Sequence, residues 1–175
     1  NGRVQTRRGN EDDVFAPHNC YRCKGNDKWI SIVITNDEEW KAFCDATGNS
    51  QWVRDERFCD AYSRKRNEKE LDNLISGWTI NHTHYEVMHI LQEAGVAAVP
   101  SFSNAELFHD PHFKERDLPM EVLHPVIGKT TVLAPPWKMS LTPPKIYRHS
   151  PLFGEHNDYV FGKLLGMSNE EIQKL

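Results

Sequence analysis

Asn19-Cys20-Tyr21-Arg22-Cys23 and Lys28-Trp29-Ile30-Ser31-Ile32-Val33-Ile34 flank the turn-forming stretch Lys24-Gly25-Asn26-Asp27. Ile30, Ile32 and Ile34 recur at every second residue, the spacing that places side chains on one face of a strand. The segment reads as a β-hairpin whose second strand buries one face. A lone hairpin is marginal in water, so that face needs a cover.

Three amphipathic helices downstream can supply it. Over 37–47, Trp40, Phe43, Cys44 and Thr47 fall at i, i+3, i+4 and i+7, and Gly48 offers a left-handed stop. Asn67 with Glu70 predicts a capping box, opening a helix with Leu71, Leu74, Ile75 and Trp78 on one side. Thr83 with Glu86 predicts another, with Val87, Ile90, Leu91 and Ala94 inward and Gly95 closing it. The fold class is therefore α+β, a small antiparallel sheet packed with several amphipathic helices.

Beyond residue 99 the character changes, because nine of the ten prolines lie between Pro100 and Pro151. A helix from Ser103 (boxed by Glu106) and strands around 120–123 and 130–133 are still predicted. Pro135-Pro136 and Pro143-Pro144 fix φ and remove donors, so that stretch should run extended. Two short helices, after Asn157 and after Ser168 (boxed by Glu171), end the chain.

The chain has 175 residues, 38% hydrophobic and 26% charged, with net charge -4. That composition can bury a core and is not that of a disordered tail. No apolar run is long enough to span a bilayer. Nucleic acid binding needs a basic stripe, and only Arg64-Lys65-Arg66 approaches one. Beside Glu68 and Glu70, that triplet reads as a solvated helix entrance. Four cysteines are too few for a disulfide scaffold and read as reduced, which implies a cytoplasmic protein. The chain opens Asn1-Gly2-Arg3 on a polar run, the expectation for a piece of a longer polypeptide.

Three clusters could carry chemistry. Cys20-x-x-Cys23 near His18 could be half of a zinc site, but no second CxxC exists and strand positions three apart face opposite sides. His82-x-His84 with His89 lacks a carboxylate at ligand spacing, and helix-entrance histidines are the plainer reading. His109-Asp110-Pro111-His112 reads as a structural turn rather than a catalytic pair. No nucleophile elbow, phosphate loop or dinucleotide fingerprint is present. No metal site and no catalytic residue is assigned.

Several segments together carry a resemblance. Gly9-Asn10 precedes Ala16-Pro17-His18-Asn19-Cys20-Tyr21-Arg22-Cys23-Lys24-Gly25. Glu39-Trp40 with Phe43-Cys44, Asp55-Glu56-Arg57-Phe58, Trp78-Thr79 and Ala94-Gly95-Val96 follow. Asp110-Pro111-His112, His124-Pro125 with Gly128, Ser140-Leu141-Thr142-Pro143 and Gly154-Glu155-His156-Asn157 complete the series. In order and spacing this resembles the C-terminal portion of the family III CoA-transferases, the CaiB/BaiF group.

The resemblance implies a large Rossmann-like domain elsewhere and a small α+β domain here, in chains that interlock as homodimers. It divides the sequence into a linker at 1–18, a small domain at 19–133, and a proline-rich return segment with terminal helices at 134–175. It implies movement of CoA from an acyl-CoA donor to a carboxylic acid, through an aspartyl anhydride and an enzyme thioester. The aspartate belongs to the large domain, so the chain alone should be inactive. Coenzyme A thioester is then the substrate, with no tightly bound cofactor, nucleic acid or membrane partner.

A glycine-rich loop of formyl-CoA transferases falls here on 11–18, which contains no glycine. The resemblance places Phe15, Ala16, Pro17, His18 and Asn19 near the acyl group. Two alternatives stand: an α-methylacyl-CoA racemase of the same superfamily, against which Asn19 replaces an acidic residue, and a non-enzymatic interaction or zinc module. The apolar groups Val132, Leu133, Trp137, Leu152 and Phe153 should lack cover if the large domain is absent.

Overall fold

A computed structural model of the chain describes residues 2, 4 and 6–175, in two compact units, Asn1–Ser101 and Phe102–Leu175. In the first unit, strands β1 (His18–Arg22) and β2 (Trp29–Val33) form the expected antiparallel hairpin, with Tyr21 opposite Ile30 and Cys20 opposite Ser31. Gly25 and Asp27 take positive φ in its turn, where glycine and aspartate tolerate the left-handed region.

Helix α1 (Asp37–Ala46) starts at Asn36, whose side chain accepts from the Glu39 amide at 2.8 Å. A 3-10 turn (Ser50–Arg54) leads to α2 (Ala61–Arg66) and α3 (Glu68–Thr79). Helix α4 (His84–Glu93) opens on the complete Thr83–Glu86 box. Strand β3 (Ala97–Pro100) then adds to β2 antiparallel, giving a sheet of order β1-β2-β3. This third strand is not foreseen from the sequence. Ala-Ala-Val-Pro is too short to show alternation, and its pairing partner lies some 65 residues earlier.

One face of the sheet is dry. Tyr21, Ile30, Ile32 and Ala98 meet Phe43, Leu71, Ile75, Val87 and Leu91, all buried. Trp40 stacks on Phe43 and Trp52 and meets Phe58 edge-on, with ring centroids 5.7, 6.4 and 6.4 Å apart. Such aromatic pairs add roughly 0.5–1.5 kcal/mol each beyond area burial.

Two expectations need correction. Arg64 is not part of a solvated triplet: it is 1% exposed. Its Nε donates to the Ala16 carbonyl (3.1 Å), Nη1 to the Phe58 carbonyl (3.3 Å) and Nη2 to Asp37 (2.7 Å), and its guanidinium lies 5.2 Å over the Trp40 ring. A buried guanidinium is tolerable because each edge finds an acceptor. The Asn67–Glu70 capping box does not form. Helix α2 runs almost directly into α3, so Asn67 lacks the extended backbone of a cap. Its amide donates instead to the Arg57 and Ser63 carbonyls, and Glu70 pairs with Arg57.

The second unit contains α5 (Asn104–His109), α6 (Pro111–Glu115) and a separate two-stranded sheet, β4 (Pro119–His124) with β5 (Gly128–Leu133). The Ser103–Glu106 box is complete, and Asp110 caps α6 through the His112 and Phe113 amides. That agrees with reading Asp110 as a turn residue. After Leu133 the chain is irregular up to a π-helical segment (Asp158–Leu164) and α7 (Asn169–Ile172), opened by the Ser168–Glu171 box. Leu133, Trp137, Leu152 and Phe153 are exposed within this unit, and Val132 is half-buried. No helix of the described residues is long and apolar enough to cross a membrane.

Three outcomes follow from this packing. Arg64→Ala should lower the free energy of unfolding by about 3 kcal/mol, because buried carbonyls lose their donor, whereas Asp37→Asn, on an exposed carboxylate, should cost about 1 kcal/mol or less. Urea titration of both variants checks the contrast. Burial pushes the Cys23 thiol up to about 11 and the Cys44 thiol up to about 12. Iodoacetamide should therefore label exposed Cys59 first and half-buried Cys20 next, sparing Cys23 and Cys44 until the chain unfolds. Backbone amides hold the carboxyls of Glu39, Glu86 and Glu171 below their usual range, and Arg57 holds Asp55 at about 2. Depressed folded values mean that the unfolded chain takes up protons first. The stability these groups contribute should be complete above about pH 5 and lost progressively toward about pH 2, as acid titration by circular dichroism would show.

Candidate functional site

The entry to β1 is held at nearly every residue. Asp12 accepts from the Val14 and Phe15 amides at 2.7 and 3.0 Å, and these bonds hold its carboxyl below the usual range. Ala16 and Pro17, joined by a cis peptide bond, are buried. The Ala16 carbonyl accepts from Arg64, and the Pro17 carbonyl accepts from the Ile34 amide at 3.0 Å, which extends the hairpin by one bond. His18 Nδ1 lies 2.7 Å from the Asn10 carbonyl.

Asn19 is held at both ends of its carboxamide. Its Nδ2 donates to Asp72 Oδ2 at 2.8 Å, and its Oδ1 accepts from the Cys20 amide at 2.8 Å. Tyr21 donates to the other Asp72 oxygen at 2.6 Å. Burial, and then the Asp72 charge, push the Tyr21 phenol far above its ordinary value, so it stays a donor.

An open cleft of about 280 Å³ borders this entry, lined among others by Asn10, Glu11, His18, Asn19, Cys20 and Ser31. Period-two alternation explains the lining: His18 and Cys20 share the face opposite Tyr21, and Ser31 and Val33 face them across the ladder. Of the five residues predicted near the acyl group, His18 and Asn19 reach the cleft wall. Ala16 and Pro17 are buried as anchors, and Phe15 is 36% exposed and is not part of the wall. Sequence reasoning missed Asp72, Tyr21 and Lys65 as supports of this entry. Asp72 was findable, since Glu68, Asp72, Ile75 and Thr79 follow one another at helical spacing along the edge of the α3 stripe.

The other clusters are taken up by packing. Cys23 is buried and Cys20 half-buried on opposite sides of the strand, and all four cysteines are free. His84 is buried at the start of α4, His82 meets Trp78 edge-on at 4.7 Å, and His89 is exposed. Among the described residues no group of three or more His, Cys, Asp or Glu could hold a metal ion. A second cavity, of about 480 Å³ and lined in part by Lys41, Ser50, Gln51 and Arg54, lies beside α1.

Residues 1–157 match the family described as CoA-transferase family III. A probable CoA-transferase, Rv1866, of Mycobacterium tuberculosis is 33% identical over 159 residues, which are 90% of this chain and 20% of the relative. The formyl-CoA:oxalate CoA-transferase of a Bradyrhizobium species is 29% identical over 99% of this chain and 41% of its own length. The succinyl-CoA–D-citramalate CoA-transferase of Chloroflexus aurantiacus is likewise 29% identical, over 99% and 43%. The crystal structure of a CaiB/BaiF family protein from Brucella suis superposes with a TM-score of 0.74 at 24% identity, covering 93% of this chain and 41% of that one. Rv3272 from Mycobacterium tuberculosis gives 0.65 at 26% identity, covering 81% and 39%. The chain thus spans between one fifth and about two fifths of the relatives it matches. With residues 1–157 of its 175 matched by one family model, this chain belongs to CoA-transferase family III.

Proposed function

We propose that this chain is the small domain and return segment of an enzyme that moves CoA from an acyl-CoA donor to a carboxylic acid, with the nucleophilic aspartate on a domain outside these residues. The observation that carries the reading is the match of 99% of the chain to transferases acting on formyl-CoA with oxalate and on succinyl-CoA with D-citramalate. The small domain then takes in 19–133, the return segment is 134–175, and 1–18 links them to the large domain. The working form is a cytoplasmic homodimer of interlocked chains, and the coenzyme A thioester is a substrate rather than a resident cofactor.

In this reading the chain's own residues bind and orient rather than react. Segment 15–19 approaches the acyl group, and the cleft beside His18 and Cys20 takes part of the substrate. Asn19 favours transfer over racemisation. Racemisation needs a proton donor and a base about the α-carbon, and a carboxamide engaged at both ends by Asp72 and the Cys20 amide supplies neither.

The 175-residue chain alone is expected to transfer no CoA from formyl-CoA or succinyl-CoA to oxalate, D-citramalate or related acids, read by chromatography of the thioesters. Joined to an aspartate-bearing large domain of the family, it is expected to transfer CoA, and with succinyl-CoA to do so without exchanging the acyl α-protons with deuterated water. Transfer by the chain alone, or proton exchange without an acceptor acid, would overturn the assignment.

A further inference from the structure

The stretch from Asp12 to Tyr21 rests against one charged stripe. Lys65 near the end of α2 pairs with Glu68 at the start of α3, and Asp72 follows Glu68 one turn later on the same side of α3. The Lys65 ammonium donates to the Asp12 carbonyl and to Glu68 Oε2. Asp72 receives Asn19 and Tyr21, one on each carboxylate oxygen. The stripe therefore grips the stretch at both ends, and the Arg64–Ala16 bond holds it between them.

Glu68 makes the grip rigid. Its side chain is 12% exposed, and its Oε1 is buried with no hydrogen-bond partner among the described residues. A carboxylate so placed depends on the ammonium that pairs with it, so Lys65 cannot swing away without leaving a nearly buried charge behind. The side chains of Asp12 and Asn19 are likewise committed to neighbouring backbone amides, which fixes the path between the two grips.

We infer that Lys65, Glu68 and Asp72 form a ledge that sets the position of the His18–Asn19 wall of the cleft against the reacting group, with Lys65 as its tether to the Asp12 carbonyl. This rests on the functional reading above, in which that wall meets the acyl-CoA. Lys65 touches no substrate; it is a positioning residue. The segment aligned with a glycine-rich loop is held here by side chains of neighbouring helices.

The test separates the ledge from the function. In the 175-residue chain, Lys65→Met combined with Glu68→Gln removes the tether without stranding a charge. Amide exchange at Val14 and Phe15 is expected to accelerate about tenfold or more, with exchange in β2 and α4 unchanged. Lys65→Arg is expected to keep the protection. In the enzyme reassembled with a large domain, the double variant is expected to lower kcat on the order of 10-fold or more with the KM for acyl-CoA within about twofold, since misplacement acts on the reacting geometry. Lys65→Arg should recover most of that loss. Unchanged exchange at Val14 and Phe15 would overturn the ledge, and accelerated exchange with unaltered kcat would overturn its part in catalysis. If the wild-type assembly transfers no CoA, the functional reading fails while the exchange result still decides the ledge.

Discussion

The buried guanidinium of Arg64 ties together parts of the first unit that sequence order keeps apart. It reaches the start of α1 at Asp37, the loop before α2 at Phe58, the cleft entry at Ala16 and the face of Trp40 in the core. Taking such a cation out of water costs several kcal/mol, so it persists only where geometry supplies acceptors around the plane. A lysine could not replace it, because a compact ammonium cannot donate in three directions several ångströms apart while lying flat on an indole. The entry to β1 is therefore fixed to the core rather than hung from it.

That anchoring gives the sheet its division of labour. Alternation along β1 and β2 sends Tyr21, Ile30 and Ile32 into the helices and leaves His18, Cys20, Ser31 and Val33 on the other face. The dry face supplies stability through aromatic stacking and aliphatic burial. The open face supplies the cleft. Residues that can meet a ligand are thus selected by strand parity, and parity is set by where the core lies. Asn19 is the exception. It belongs by parity to the helix side, and it reaches both Asp72 and the cleft wall because it stands at the rim.

Features that depend on neighbours in sequence were legible. The hairpin turn at 24–27, the α1 stripe of Trp40, Phe43 and Cys44, and the boxes at Thr83, Ser103 and Ser168 rest on contacts within about four residues, and each forms as expected. Features set by distant partners were not. Arg64 stands among like charges, which reads as a wet surface until Ala16 and Trp40 are brought to it. Asn67 carries the residue types of a cap, yet α2 arrives too closely for the backbone to open. Strand β3 exists because β2 has a free edge, a fact of topology rather than of Ala97–Pro100. At the site, His18 and Asn19 came from family resemblance, while Asp72 needed α3 packed against β1 and Lys65 needed α2 beside the segment that leads into it.

The stripe along α2 and α3 also constrains how homologous genes can change. An α-helix turns about 100° per residue, so one residue inserted or deleted between Glu68 and Asp72 would carry the Asp72 grip away from the side on which Glu68 meets Lys65. Length variation in this family should therefore collect in the loops on either side of the two helices, and this short window should evolve by substitution alone.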